Sequence, residues 1–175
     1  MTFTPGPLDG LWLIGLEPRH DHRGWFARTW CASEFSDHGL NTHWPQANTT
    51  RSLRRGILRG LHWQADPHPE IKLIRCARGA VWDVVVDVRP GSPTHGRWAA
   101  FELSEDRPLQ LYVPGGFAHG FQCLTDQCEL DYLMSDSYHA DLARGLRWND
   151  PHLAIPWPIP DPLLSDRDAA LPTWP

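Results

Sequence analysis

The spacing of its short β-branched and aromatic runs constrains this chain more than any other feature. Ile71 to Cys76, Ala80 to Val88, Trp98 to Leu103, Leu109 to Val113, Gly120 to Leu124 and Glu129 to Met134 are each closed off by Pro, Gly, Asp or Ser. Such runs, recurring at intervals of about 8–12 residues, read as strands joined by tight turns, and a series of them packs as a sandwich or barrel. Between the first two runs, Arg78-Gly79 reads as a turn, which predicts a β-hairpin. No segment carries a long apolar stripe of 3.6-residue period; the best helix candidates are Ala32 to His38 and a turn near Ser165 to Ala170. The expected fold is therefore mainly β with a few short helices. The final stretch, NDPHLAIPWPIPDPLLSDRDAALPTWP, should run as an extended strap across the strands, because each proline removes a ladder donor.

Composition narrows the class. The chain carries 17 prolines and 14 glycines, yet 10 tryptophans and 41% hydrophobic residues supply burial that a disordered chain lacks. At 175 residues a single domain over 1–175 is expected. A net charge of −5 with no block of like charges predicts no nucleic-acid or membrane partner, so any phosphate-bearing ligand must be held by local groups. The start, MTFTPGPLDG, has neither a basic nor an apolar leader segment, and no apolar run approaches the ~18 residues of a membrane span, which predicts a cytoplasmic protein. Cys31, Cys76, Cys123 and Cys128 match no redox or zinc spacing and are expected to be buried free thiols.

Three segments carry candidate chemistry. In RRGILRGLHWQ, residues 54 to 64, strict strand alternation puts Gly60 and His62 on one face and Arg59, Leu61 and Trp63 on the other. An imidazole pointing into an apolar barrel suits a general base, although a structural, hydrogen-bonded histidine fits the same pattern. Lys72 interrupts an apolar strand and either reaches out to water or is kept for an anion. In YVPGGFAHGF, residues 112 to 121, Pro-Gly-Gly permits close backbone approach just before His119. Together these segments reproduce the register of the two cupin motifs without their ligands. Gln64 stands where a second histidine would be and Lys72 lies near the carboxylate position, so His62 and His119 alone cannot hold a dication, and neither metal nor cofactor is expected.

The chain resembles the dTDP-4-dehydrorhamnose 3,5-epimerases and related deoxysugar enzymes. The resemblance rests on DHRGWF (21 to 26), PQANTT (45 to 50), ILRGLHWQ (57 to 64), IKLIR (71 to 75), GAVWDVVVDVRPGSPTHGRW (79 to 98), VPGGFAHGF (113 to 121), DYLMSDSY (131 to 138), NDPHLAIPWP (149 to 158) and LSDRDAA (164 to 170). It implies a cupin-type jelly-roll β-barrel that forms a homodimer by exchanging N-terminal strands, and a nucleotide-diphosphate-linked 4-keto-6-deoxyhexose as substrate. It also implies roles: His62 as base, Asp168 as its orienting carboxylate, Tyr132 as the acid on the opposite face and Lys72 at the enolate oxygen. Arg23, Phe26, Gln46, Asn48, Arg59, His119, Tyr138 and Arg167 are the implied substrate-binding positions.

The pattern departs from the family at Arg28 and Ala143, where the resemblance leads one to expect glutamates. A guanidinium near the base raises cytosine, whose N3 accepts a hydrogen bond, as an alternative to thymine. Alternatives to double epimerisation are inversion at C3 alone, a 3,4-ketoisomerase on the same barrel, a catalytically silent cupin that binds sugar nucleotides, and a metal-dependent cupin.

Overall fold

The computed structural model describes residues 1–175, and its strands build two antiparallel sheets that face each other. One sheet contains β1 (Thr2–Pro5), β2 (Trp12–Gly15), β5 (Gln46–Ser52), β7 (Lys72–Arg78), β10 (Leu109–Val113) and β12 (Cys128–Met134), in the order β1-β2-β10-β7-β12-β5. The other contains β6 (Leu58–Gln64), β8 (Ala80–Asp87), β9 (Trp98–Ser104), β11 (Phe117–Cys123) and β13 (Ala143–Gly145), in the order β13-β6-β11-β8-β9. A separate exposed hairpin joins β3 (Arg19–Asp21) to β4 (Gly24–Phe26). Two short helices, α1 (Ala32–Asp37) and α2 (Asp166–Ala169), fall on the two predicted segments. None of the helices is long and apolar enough to cross a membrane.

The core is the space between the sheets. Ile74, Leu111, Val113, Leu130 and Met134 from one sheet meet Val81, Val85, Leu103, Phe117 and Phe121 from the other, all buried. Each large apolar side chain so enclosed contributes about 1.5–3 kcal/mol relative to exposure. The outer face of the five-stranded sheet is covered too. There the C-terminal segment packs Leu153 and Ile155 against Leu61, Val84, Val86 and Ala118, with the indoles of Trp63, Trp82, Trp98, Trp157 and Trp174 around them. This is the predicted strap, and it is fastened at discrete points. Ile159 exchanges two hydrogen bonds with the Gln122 amide, and Leu163 bonds to the backbone on both sides of Ile57.

The predicted hairpin from β7 to β8 is not formed: the two strands lie in different sheets, and the chain crosses between them at Gly79. The reason is legible in β8, where Val84, Val85, Val86 and Asp87 are all buried. A strand apolar on both faces belongs inside a covered sheet, and β8 sits between β11 and β9 under the strap. Gly79 has φ +72°, and a Cβ there would stand 2.6 Å from Thr125 Oγ1, so the corner requires glycine. Pro114-Gly115-Gly116 makes a second crossing, after which β11 starts at Phe117, ahead of the expected Gly120.

The long DVRPGSPT segment proves structural. The Asp87 carboxylate accepts from Arg89 Nε (2.9 Å) and Nη2 (2.7 Å), Ser92 Oγ (2.5 Å) and Thr94 Oγ1 (2.6 Å), which ties the loop before β9 into one knot. Burial works to raise its pKa, but the guanidinium and two hydroxyls win and hold it far below the carboxylate range. Of the cysteines, Cys76, Cys123 and Cys128 are buried free thiols; Cys31 departs from expectation and is only half-buried, in the exposed turn before α1.

Candidate active site

A cavity of about 390 Å³ opens between the sheets, lined by Asn48, Thr50, Arg59, His62, Glu70, Lys72, His119, Tyr132 and Asp168 among others. It draws on both walls. β6 and β11 of the five-stranded sheet supply Arg59, His62, His119 and Phe121; β5, β7 and β12 of the six-stranded sheet supply Asn48, Lys72 and Tyr132.

Strict alternation fails in β6, and the failure builds the site. His62 pairs with His119 and Arg59 with Phe121, so two residues of β6 lie opposite the single Gly120. This bulge turns Arg59 and His62 toward the same cavity, although alternation assigns them to opposite faces. The bulge depends on glycine. Gly60 has φ +118°, and a Cβ there would lie 2.6 Å from Gly120 Cα and 2.7 Å from the His119 carbonyl oxygen. Leu61 meanwhile points outward into the cluster beneath the strap.

His62 Nε2 lies 2.6 Å from Asp168 Oδ1. Asp168 is buried on α2, whose N-cap Ser165 accepts a hydrogen bond from the Asp168 backbone N–H at 3.1 Å. The Ser-x-x-Asp spacing of a capped first turn thus fixes the carboxylate. Burial lowers the His62 pKa against the opposing pull of Asp168, so the ring is a neutral imidazole at neutral pH. With the Nε2 proton directed at the carboxylate, the lone pair is on Nδ1.

Tyr132 is buried on the opposing wall, and burial together with the nearby Asp83 carboxylate raises its pKa, so the phenol keeps its proton. Lys72 Nζ forms an ion pair with Glu70 Oε1 at 2.7 Å, with both side chains nearly enclosed, and its other donors meet no protein acceptor. A second imidazole–carboxylate pair joins His119 Nε2 to Asp83 Oδ2 at 2.9 Å, and the His119 ring meets Tyr132 edge-on at 6.0 Å. Burial pushes the Asp83 carboxyl up against the pull of His119.

The structure brings eight of the sequence-derived residues to this cavity: His62, Tyr132, Lys72, Asp168, Asn48, Arg59, His119 and Arg167. Gln46 and Tyr138 stand at its rim, where the Tyr138 N–H donates to Gln46 Oε1 (3.1 Å) and Gln46 Nε2 to Asn48 Oδ1 (3.2 Å). Arg23 and Phe26 are not there. They sit on the β3–β4 hairpin, Arg23 paired with Asp21 (2.6 Å) and Phe26 75% exposed. Arg28 pairs with Glu34 at 2.6 Å, outside the cavity. Gln64, at the second cupin-ligand position, is not among the lining residues. Its amide is spent on His68 O (2.7 Å), Ser137 O (3.1 Å) and the His139 N–H (2.7 Å). The Lys72 ammonium stands in the same cavity as the two imidazoles, and Gln64 faces elsewhere, so the cavity offers a donor set unsuited to a dication.

Sequence reasoning missed Glu70, Asp83 and Ser165. Glu70 lies two residues before Lys72, the strand period for a shared face, and the Asp83 carboxylate interrupts an apolar strand as openly as Lys72 does. Ser165 was readable as the cap three residues before Asp168.

Two opposed sheets, one carrying a carboxylate-held imidazole and the other a protonated phenol and an ammonium, define a cupin-type barrel equipped for acid–base chemistry. The match to known proteins is equally specific: residues 5–175 fit the family described as dTDP-4-dehydrorhamnose 3,5-epimerase. The Methanothermobacter thermautotrophicus dTDP-4-dehydrorhamnose 3,5-epimerase is 38% identical over 169 residues, covering 95% of this chain and 90% of that relative. The Streptomyces niveus dTDP-4-dehydrorhamnose 3-epimerase is 40% identical, covering 96% of this chain and 81% of its own. A crystal structure of the Bacillus anthracis 3,5-epimerase with TDP and pyrophosphate bound superposes with a TM-score of 0.96 at 38% identity, covering 99% of each chain. The chain belongs to the dTDP-4-dehydrorhamnose 3,5-epimerase family.

Proposed function

We propose that this enzyme epimerises a dTDP-linked 4-keto-6-deoxyhexose at C3 and C5 by proton transfer across the ring. The observation that carries this reading is the placement of His62 and Tyr132 on opposed sheets around one cavity that also holds Lys72. His62 Nδ1 takes the proton α to the ketone, while Asp168 holds the tautomer and stabilises the imidazolium. The electron pair released from carbon moves onto the keto oxygen, where Lys72 meets the enolate; a preorganised donor of this kind is worth about 2.7–4 kcal/mol. Tyr132 then delivers its phenolic proton to the opposite face. Each inversion leaves His62 protonated and Tyr132 ionised, and exchange with water restores both.

Arg59, Arg167, Asn48 and His119 line the same cavity and are assigned to the diphosphate. Tyr138, 58% exposed at the rim, is assigned to the base. The hairpin residues Arg23 and Phe26 are assigned to the cavity of a second copy. The exposed Trp25 and Phe26 support this, since two large rings on a detached hairpin call for cover. Thymine is the favoured base: the relatives are named for dTDP sugars, and the ion pair of Arg28 with Glu34 removes the guanidinium that raised cytosine. Inversion at C3 alone is the second reading, favoured by the 40% identity to the Streptomyces niveus 3-epimerase.

The deciding experiment follows deuterium from solvent water into a dTDP-4-keto-6-deoxyglucose by NMR. Label at C3 and C5 supports the main reading, label at C3 alone the second, and no label with intact protein refutes both. His62→Ala should lower exchange by at least ~10²-fold.

A further inference from the structure

A second cluster of ligating side chains lies at the rim, outside the catalytic cavity. His68 Nδ1 stands 3.0 Å from Asp136 Oδ2, His139 Nε2 stands 3.9 Å from Asp136 Oδ1, and the two imidazole rings stack at 4.1 Å with 11° between their planes. One donor atom from each of the three residues lies within 4.8 Å of the others. We propose that His68, Asp136 and His139 form a binding site for a borderline divalent transition ion, of which zinc is the type, with water completing the shell.

The donor set is the first argument. Two imidazoles and one carboxylate suit zinc, cobalt or nickel and discriminate against the all-oxygen preferences of magnesium and calcium. The spacing is the second. Metal bonds of about 2.0–2.2 Å at tetrahedral angles place ligand atoms roughly 3.2–3.5 Å apart. The 3.0 and 3.9 Å contacts run to the two different oxygens of Asp136, and one atom from each residue lies within 4.8 Å of the others, so the side chains must rotate out of their stack to close on an ion. All three side chains are partly exposed, at 44%, 34% and 36%, which gives an ion a path in and leaves room for water.

Rigidity behind the ligands is the third argument. His68 is flanked by Pro67 and Pro69, which restrict its backbone. The buried Gln64 amide grips both histidine segments: its Nε2 donates to the His68 carbonyl and its Oε1 accepts from the His139 N–H, each at 2.7 Å. Asp136 Oδ1 accepts from the Ser137 N–H at 2.7 Å, which orients the carboxylate. A single buried residue therefore fixes the separation of the two imidazoles, as a supporting shell does in metal sites. Neither His68, Asp136 nor His139 lines the catalytic cavity, so the site is independent of the epimerase reading.

The test is a zinc titration of the full-length, chelator-stripped protein at pH 7.5 in competition with a chromophoric chelator. One saturable site in the micromolar range is expected, weakened at least tenfold by His139→Ala and by Asp136→Asn and unchanged by Cys31→Ser, which removes the accessible thiol. Cobalt should show d–d bands without thiolate charge transfer. Absence of saturable uptake below millimolar zinc, or uptake indifferent to His139→Ala, overturns the proposal and leaves a stacked, hydrogen-bonded rim. Circular dichroism of each variant establishes folding, and their metal-free proton exchange should stay within twofold of the parent.

Discussion

Replacing Asp168 by Asn separates the charge of the carboxylate proposed to position His62 from its shape. The amide fits the same volume and, with its single oxygen kept on the His62 Nε2 proton, preserves the tautomer at the expense of the long 3.4 Å contact to the Gly60 N–H, while the Ser165 cap holds the α2 turn. What disappears is a negative charge 2.6 Å from His62 Nε2, worth about 6 kcal/mol against a full imidazolium at an effective dielectric of 20. Two reductions apply. The ring is only partly charged in the transition state, and the His62 side chain is 38% exposed, so water screens the pair. About 1.5–3 kcal/mol remains, which predicts a fall of roughly 10- to 100-fold in the plateau rate of proton exchange. The pH profile supplies a signature that a merely structural role would not give. The carboxylate raises the His62 pKa against the dominant effect of burial, so its loss lowers that pKa further and moves the acid limb of the rate profile to lower pH. The assay is solvent deuterium incorporation from pH 5 to 9 with circular dichroism as a folding control. A plateau within twofold of the parent, or an acid limb displaced upward, refutes the role given to Asp168.

Further outcomes follow from the same geometry. Lys72→Met should cost about 10²–10³-fold in kcat with a smaller change in KM, because the ammonium acts on charge that develops only during reaction. Tyr132→Phe should uncouple removal from return, so that deuterium still enters at the abstraction site while net inversion falls by at least ~10²-fold. Gly60→Ala should lower thermal stability by about 1–3 kcal/mol or more and abolish exchange, since its Cβ meets backbone at 2.6 Å; a stable, active variant would show that the bulge is dispensable. For pH stability, the lowered His62 value means that the folded form binds this proton less readily than the unfolded chain. The ring's contribution is therefore fully present above the unfolded value of ~6.5 and is lost as pH falls toward the folded one, which urea titrations between pH 5 and 8 can follow.

The β class and most central strands were legible because period-two runs and turn residues are local signals. What escaped was which strands are neighbours. Arg78-Gly79 looks identical whether it closes a hairpin or carries the chain across to the other sheet, and only the burial of β8 on both faces, enforced by a strap far along the chain, selects the crossing. β5 also went unassigned: QANTTRS carries too few apolar residues to signal a strand, since an edge strand with one wet face needs few. In the site, His62, Lys72, Tyr132 and Asp168 were singled out by resemblance and line one cavity, while the faces of Arg59 and His62 were misassigned because one extra residue defeats counting by twos. Glu70 and Asp83 had a signal that went unread: a carboxylate in an apolar strand is costly unless something answers it.

The tail carries the orienting carboxylate, and this has an operational meaning. Asp168 reaches His62 only while the segment from Asp150 onward stays docked, through a few fastenings such as Ile159 to Gln122 and Leu163 to the Ile57 neighbourhood. Barrel and tail therefore need not fail together. Gentle heating, or a protease nick among the exposed prolines, would peel the tail away first and disarm the imidazole while the β-sheets remained whole, so activity is a more sensitive gauge of integrity here than any spectroscopic measure of strand content.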